Sequence, residues 1–323
     1  MIEWTFKPED VARIRFAFSP LWEAVSSLIV LRAPSAHALH VPWIRATLPK
    51  VVGLDLSELF ALVPARGPTA DFLDPPPTSP LAEFDAELDT MRRTPPQRVV
   101  AELDEVPALS RAIARRIRND PAAAVTRLAD TLQAYWDLTL AEHWPRIQAL
   151  LEADVLWRAQ RLTLGGAAAL FDDLHETITW HGNRLTAADP YQYSGTLSGK
   201  GLLLVPAVMP WPNVRKLIEP YQPTLVYPVR GILTLWETGT PPAPDALAAL
   251  IGRTRATLLA TLAQPASTTH LSHRLALTPG AVSQHLTVLH HCGLVARSRV
   301  GRSVLYRRTR NGDALIGHQK QEG

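Results

Sequence analysis

Cysteine is almost missing from this 323-residue chain: Cys292 stands alone, so no intrachain disulfide can form, which suits a reducing compartment. Tryptophan is absent after Trp236, although nine occur up to that point. Long apolar runs are absent too. The smoothest stretch, Gly201 to Val214, is short and interrupted by Pro206, Pro210 and Pro212, which excludes a membrane span. The start, Met1-Ile2-Glu3-Trp4, lacks the basic-then-apolar layout of a signal peptide, so a cytoplasmic location without membrane contact is expected. No Ser/His/Asp order, acid pair or glycine-rich phosphate loop stands out. Gly195-Thr196-Leu197-Ser198-Gly199-Lys200-Gly201 approaches a P-loop, but its spacing is one short and no Ser or Thr follows the lysine. It reads as a turn leading into Leu202. Neither an enzyme nor a cofactor is expected.

What is present is unevenly spread. The net charge is +3, yet from Asp245 onward ten Lys/Arg face three acids, giving +7 and leaving −4 for the residues before it. A basic end on a mildly acidic body is the layout of a polyanion reader attached to something else. Between the two regimes lies Thr238-Gly239-Thr240-Pro241-Pro242-Ala243-Pro244, a stiff Pro-rich linker. The length accommodates two domains. In the first, residues 1–237, helical spacing appears over Asp10–Phe18 (Val11, Ile14, Phe18), over Pro121–Glu142 (Val125, Leu128, Leu132, Tyr135, Trp136) and after Pro145. Leu202–Val208 and Thr224–Val229 read as strands, and Asp74–Pro80, rich in proline, as an exposed loop. Trp136, Trp144, Trp157, Trp180 and His181 line an aromatic pocket in one reading and fill the core in the plainer one, which is favoured for any single residue.

After the linker, Ala246–Leu262 reads as an amphipathic helix with Leu250, Ile251, Thr254, Leu258 and Leu262 on one stripe, ended by Pro265. Thr268 and Thr269 occupy N-cap positions for a short helix, His270–Leu275. Thr278-Pro279 starts a further helix that runs to about His291 and is stopped by Gly293. Two short helices joined by a tight turn make a helix-turn-helix. On the last helix Val282, Leu286 and Leu289 recur at core spacing, while Gly280, Ser283, Gln284, Thr287 and His291 lie opposite, without an acid among them. Such a face offers hydrogen bonds to base edges without repelling phosphate. Leu294–Arg299 and Val304–Arg308 then alternate about Gly301, which predicts a β-hairpin carrying Arg297, Arg299, Arg302, Arg307 and Arg308. Tyr306 is expected to pack inward.

The run Thr278-Pro279-Gly280-Ala281-Val282-Ser283-Gln284-His285-Leu286-Thr287-Val288-Leu289, followed by Cys292-Gly293-Leu294-Val295 and Gly301–Tyr306, resembles the ArsR-type winged helix of bacterial transcriptional regulators. The resemblance implies a homodimer that reads an inverted repeat in double-stranded DNA, commonly as a repressor. It also implies DNA contact from Ser283, His285 and the neighbouring Gln284. The preceding residues resemble the uncharacterised domain found before this motif in regulators of high-GC Gram-positive bacteria. The expected fold is therefore mainly α: a helical α+β domain with a few strands, a linker at 238–244, a winged helix-turn-helix at 245–310 and a flexible tail at 311–323. Candidate DNA-binding residues are Thr278, Gly280, Ser283, Gln284, His285, Thr287, Arg297, Arg299, Arg302 and Arg307.

Many ArsR proteins sense metals through paired cysteines or a helical Asp/His set. Here the second helix has no cysteine, and after Arg310 only Asp313 and His318 remain. His270 and His273, and the consecutive His290-His291-Cys292, read as surface or core residues, because consecutive helical side chains diverge by about 100°. No metal is expected. Any signal, such as a small organic effector, enters through the first domain, which serves sensing or dimerisation. A non-specific architectural DNA binder is the alternative, and the shortage of lysine on the last helix weighs against it.

Overall fold

The computed structural model describes residues 1–106, 109–232, 235–236, 245–262, 265–300 and 303–317. They form two compact units, Met1–Trp144 with Arg158–Val229 and Pro145–Trp157 with Arg230–Gly323. The later changeover falls ahead of the 238–244 segment expected as a linker, which lies outside the described residues.

The first unit is α+β, with more strand than its composition suggests. Strands β1 (Ile2–Thr5), β2 (Arg15–Phe16), β3 (Ile178–His181), β4 (Arg184–Ala187), β5 (Tyr193–Thr196), β6 (Leu203–Ala207), β7 (Arg215–Leu217) and β8 (Thr224–Pro228) form two four-stranded sheets, in orders β3-β4-β1-β5 and β2-β6-β8-β7. In the first, β1 runs antiparallel to β4 and parallel to β5; in the second, β6 is parallel to both β2 and β8. Every residue of β6 is buried because both sheet faces are covered. Leu204, Leu225 and Tyr227 join Ile2, Trp4, Phe6 and Phe171 on one side, while Leu203, Val205 and Val226 meet Trp22 on the other. Burial on both faces explains the continuous apolar run that marks this strand. Pro206, which has no N–H to donate, sits beyond the two residues that β2 pairs.

Helices α1 (Pro8–Val11), α2 (Pro20–Arg32), α3 (Val41–Val51), α4 (Ser57–Leu62), α5 (Phe84–Arg92), α6 (Pro96–Glu102), α7 (Arg111–Asn119) and α8 (Pro121–Thr139) supply the rest. As predicted, α8 starts at Pro121. Its cap is Asp120, whose carboxylate accepts from the Ala123 N–H at 3.0 Å, and it buries Val125, Leu128, Leu132, Tyr135 and Trp136. α2, α3, α5, α6 and α7 all pack on it. Helix α9 (Trp144–Phe171) follows and is broken at Gly166, whose φ is +64°. Arg158, 1% exposed, pairs with Asp173 at 2.9 Å, donates to the Leu170 carbonyl at 3.3 Å and lies over the Tyr227 ring.

Two expectations in this unit are overturned. Asp10–Phe18 is not one helix: α1 ends at Val11, and Arg15–Phe16 pairs as strand β2 with Leu203 and Leu204. The chain can approach there because Gly201, at φ +68°, has no Cβ to strike the Arg13 carbonyl. Nor is Asp74–Pro80 an exposed loop throughout. Asp74 is fully buried and pairs with Arg215, and the Pro75 carbonyl accepts from the Trp22 indole. The aromatic set disperses as well. Trp136 stacks on Phe84 at 4.4 Å with Trp144 at its edge, Trp180 packs on Phe6 and Phe171, and His181 is exposed; Trp157, in the second unit, lies under Arg230.

Buried carboxyl groups terminate several backbone segments of the first unit. Glu87 accepts from the Leu21 N–H at 2.9 Å and the Ser19 hydroxyl at 2.6 Å, completing the cap of α2. Glu23 accepts from the N–H groups of Val208 and Met209. Burial pushes Glu87 up to about 8 and Glu23 up to about 7, despite those hydrogen bonds. Since both values exceed the unfolded carboxyl value, the native state binds more protons, and stability falls as pH rises from about 4.5 toward 8. Glu87→Gln keeps an acceptor for Leu21 and removes one titration. We expect the fall in thermal midpoint between pH 5 and pH 8 to be smaller in this variant than in the parent, measured by circular dichroism.

Candidate nucleic-acid interface

The second unit gathers α10 (Asp245–Ile251), α11 (Arg253–Thr261), strand β9 (Ala266–Ser267), α12 (Thr268–Leu275), α13 (Pro279–His291), strands β10 (Val295–Val300) and β11 (Ser303–Arg308), and α14 (Arg310–Gly317), together with Pro145–Trp157 of α9. The expected single helix Ala246–Leu262 is instead two. Gly252, at φ +86°, ends α10 and opens α11. The break rotates the intended stripe: Leu247 is buried, whereas Leu250 is 74% exposed and not part of the core. The cap of α12 is Ser267, which accepts from the His270 N–H at 3.1 Å, in place of Thr268 or Thr269. Residues 311–317, expected within a flexible tail, belong to α14, whose Gly312 lies against the Leu294 carbonyl where a Cβ would not fit.

The α12–α13 connection is tight. Ala276 takes a left-handed conformation at φ +52°, the Leu277 N–H returns to the Ser272 carbonyl at 3.0 Å, and Thr278 caps α13 by accepting from the Ala281 N–H at 3.2 Å. Pro279 fills the first helical position and Gly293, at φ +68°, stops the chain beyond the C-cap Cys292, as predicted. Val282 and Leu286 are fully buried and Leu289 is 1% exposed; they join Leu258, Leu259, Leu262, Leu271, Val295 and Tyr306 in one core. Gly280, Ser283, Gln284, Thr287 and His291 are exposed on the other side, and His285 is half-buried at the margin. A Cβ at Gly280 would meet open space, so the backbone there is accessible. Two of the predicted contacts have prior commitments: the Thr278 oxygen is the cap acceptor, and the Thr287 hydroxyl donates to the Ser283 carbonyl at 2.9 Å.

β10 and β11 pair antiparallel from Val295↔Arg308 to Val300↔Ser303, and β9 adds a third strand on Leu305 and Tyr306. Leu305 and Tyr306 are buried, in line with the packing expected of Tyr306. Arg297 stands opposite Tyr306 and Arg299 opposite Val304, which puts both arginines on one face; Arg307, opposite Ala296, is on the other. All three are exposed. Arg302, predicted at the tip, lies outside the described residues. Arg308 belongs to the scaffold and not to the outer surface: it pairs with Asp313 of α14 at 2.8 Å and donates to the Leu259 carbonyl.

A small cavity in this unit, about 20 Å³, is lined by Arg146, Leu150, Leu235, Thr261, His270 and Arg274 among others. That is room for about one water and none for an organic effector. Burial, then the positive charges of Arg274, Arg146 and His273, push His270 down to about 4, so the ring is neutral at ordinary pH. Among the described residues no group of three or more His, Cys, Asp and Glu is placed to hold a metal ion, and no helix is long and apolar enough to cross a membrane.

Residues 256–297 match the family model described as bacterial regulatory protein, arsR family. Residues 97–232 match a family of unknown function (DUF5937). No curated protein and no solved structure matches the chain. The first match supports a DNA-binding transcription regulator, and the second carries no assigned function.

The two faces of α13 differ in what they contribute to stability. Leu286→Ala is expected to cost roughly 2–5 kcal/mol in chemical denaturation of the full chain. Ser283→Ala, on the exposed face, should stay within about 0.5 kcal/mol of the parent.

Proposed function

We propose that this chain, which carries an ArsR-family regulatory domain after a domain of unknown function, is a sequence-specific transcriptional regulator that binds an inverted-repeat operator as a homodimer, acting as a repressor. The observation that carries this reading is the exposed, acid-free face of α13, held in one rotation by Val282, Leu286 and Leu289. Ser283 and Gln284 take base edges in the major groove; Thr278, Gly280, His285 and Thr287 lie along the same helix and contact bases or backbone around them. The wing arginines Arg297, Arg299 and Arg302 serve the phosphate backbone or minor groove, with Arg307 contributing from the opposite face of the hairpin. That face of α13 carries neither lysine nor arginine, which favours hydrogen-bond readout over an architectural role. Leu250 on α10 and Leu315 on α14, both exposed, are apolar surface that a second copy would cover. The input is not a metal in this reading, since the only cysteine, Cys292, caps α13. It enters through the first unit, as an organic effector or by dimer control.

The test is selection of bound fragments from the source genome, followed by footprinting and fluorescence anisotropy on the selected duplex. Gln284→Ala is expected to cost about 1–3 kcal/mol and to relax preference at one base position. Arg297→Ala should weaken all sequences alike and lower the salt slope by about 1. Equal affinity across unrelated fragments would rule out specific regulation.

A further inference from the structure

Residues 1–244 carry a net −4, yet four arginines without a single acid crowd into the nine residues of α7. At about 100° per residue, Arg111, Arg115 and Arg118 fall within about 60° of arc, on the side away from Ile113 and Ile117. Ile117 is fully buried and α7 packs on α8, so the arginine stripe points outward, and all three arginines are exposed. The helix is firmly held. Ser110 caps it by accepting from the Ile113 N–H at 3.3 Å, Arg116 pairs with Glu58 at 3.3 Å, and Arg118 with Asp104. Of the acids flanking α7, Asp104 is occupied by Arg118, Asp120 caps α8, and Glu105 is exposed ahead of the helix. Among the described residues no acid is paired with Arg111 or Arg115. Arg111 moreover occupies the first helical position, and the first turn has no acid. A cation there opposes the helix dipole, so the arrangement is unfavourable for α7 alone and becomes favourable when an anion lies alongside.

We propose that the Arg111–Arg115–Arg118 stripe of α7 is a second docking surface, and that its occupant is the phosphate backbone of duplex DNA beside the operator. The inference rests on the DNA-binding reading above and assigns a contact to the unit matched by the family of unknown function. Charge complementarity selects the occupant: exposed arginines recognise phosphate oxygens in pairs of hydrogen bonds, whatever the base sequence.

The experiment compares the full-length parent with Arg111→Gln/Arg115→Gln, Arg111→Lys/Arg115→Lys and the wing variant Arg297→Gln/Arg299→Gln. Each is titrated with the selected duplex, carrying long flanks, at several salt concentrations. Two lost phosphate contacts reduce the slope of log affinity against log salt by about 1.8, so a fourfold rise in salt costs the parent about twelve times more affinity than the Gln variant. The Lys variant should keep the parental slope, and the bases protected in footprints should be unchanged. A parental slope in the Gln variant, with the wing variant impaired, overturns the stripe as a DNA contact and leaves the winged-helix reading intact. A parental slope accompanied by a changed elution volume points to a protein partner instead and also overturns it. Absence of specific binding by the parent itself overturns both readings.

Discussion

Three apolar side chains, Val282, Leu286 and Leu289, fix the rotation of α13 about its own axis, and the character of its outer surface follows from that rotation. With those three buried, Gly280, Ser283, Gln284, Thr287 and His291 face solvent. A turn of the helix by one residue would bring Ser283 and Thr287 into a core that offers them no acceptors beyond the helix itself. The start and stop are fixed as firmly, by Thr278 with Pro279 at one end and Gly293 at the other. The wing takes its place from the same core, since Val295 and Tyr306 pack into it beside Leu289. The exposed face of α13 and the packing of the wing are thus two consequences of one apolar stripe.

The first unit solves a different problem. The chain contains 28 prolines, and each removes a backbone donor. Stranded N–H groups are met from the side by buried carboxyl groups. Glu23 accepts from Val208 and Met209, Glu87 from Leu21, Glu102 from Phe72, and Asp10 from Lys7 and Gly201. Each satisfies a donor that would otherwise be costly to bury, at the expense of bringing an ionisable group out of water. Arg215 offsets part of that expense at Asp74, stacking over Trp22 as it does so.

The sequence is readable where the determining contacts are local. The starts of α8 and α13 are set by a capping residue next to a proline, and both helices begin as expected, although α8 stops at Thr139, short of the expected Glu142. Where partners are remote, the reading fails. Arg15–Phe16 has helical spacing around it, but it becomes a strand because Leu203 and Leu204 lie alongside. Asp74–Pro80 has the composition of a surface loop, and only Arg215 reveals why its first residues are interior. Ser267, Thr268 and Thr269 are equally able to cap a helix; the pairing of Ser267 with Leu305 places the first of them at the end of β9, where it caps. Gly252 was a visible break signal, and apolar periodicity across it concealed the two-helix outcome. Of the candidate interface, which residues of α13 lie exposed was readable in advance. The wing was readable as a hairpin, though its periodicity could not tell that Arg308 turns inward to Asp313.

Helix α9 carries a further consequence. Its residues Pro145–Trp157 belong with the regulatory unit, where Asp154 accepts from the Arg230 N–H, Trp157 underlies the Arg230 guanidinium, and Ala149 and Leu150 line the cavity beside His270. That unit is therefore discontinuous in the chain. It is not a cassette that recombination at residue 240 could graft onto another protein, because such a graft would leave a piece behind. A ribosome finishes the residues of the first unit at Val229, while Pro145–Trp157 must wait for the residues after Arg230 before the regulatory unit can close. Their shared inheritance follows from the path of the backbone itself.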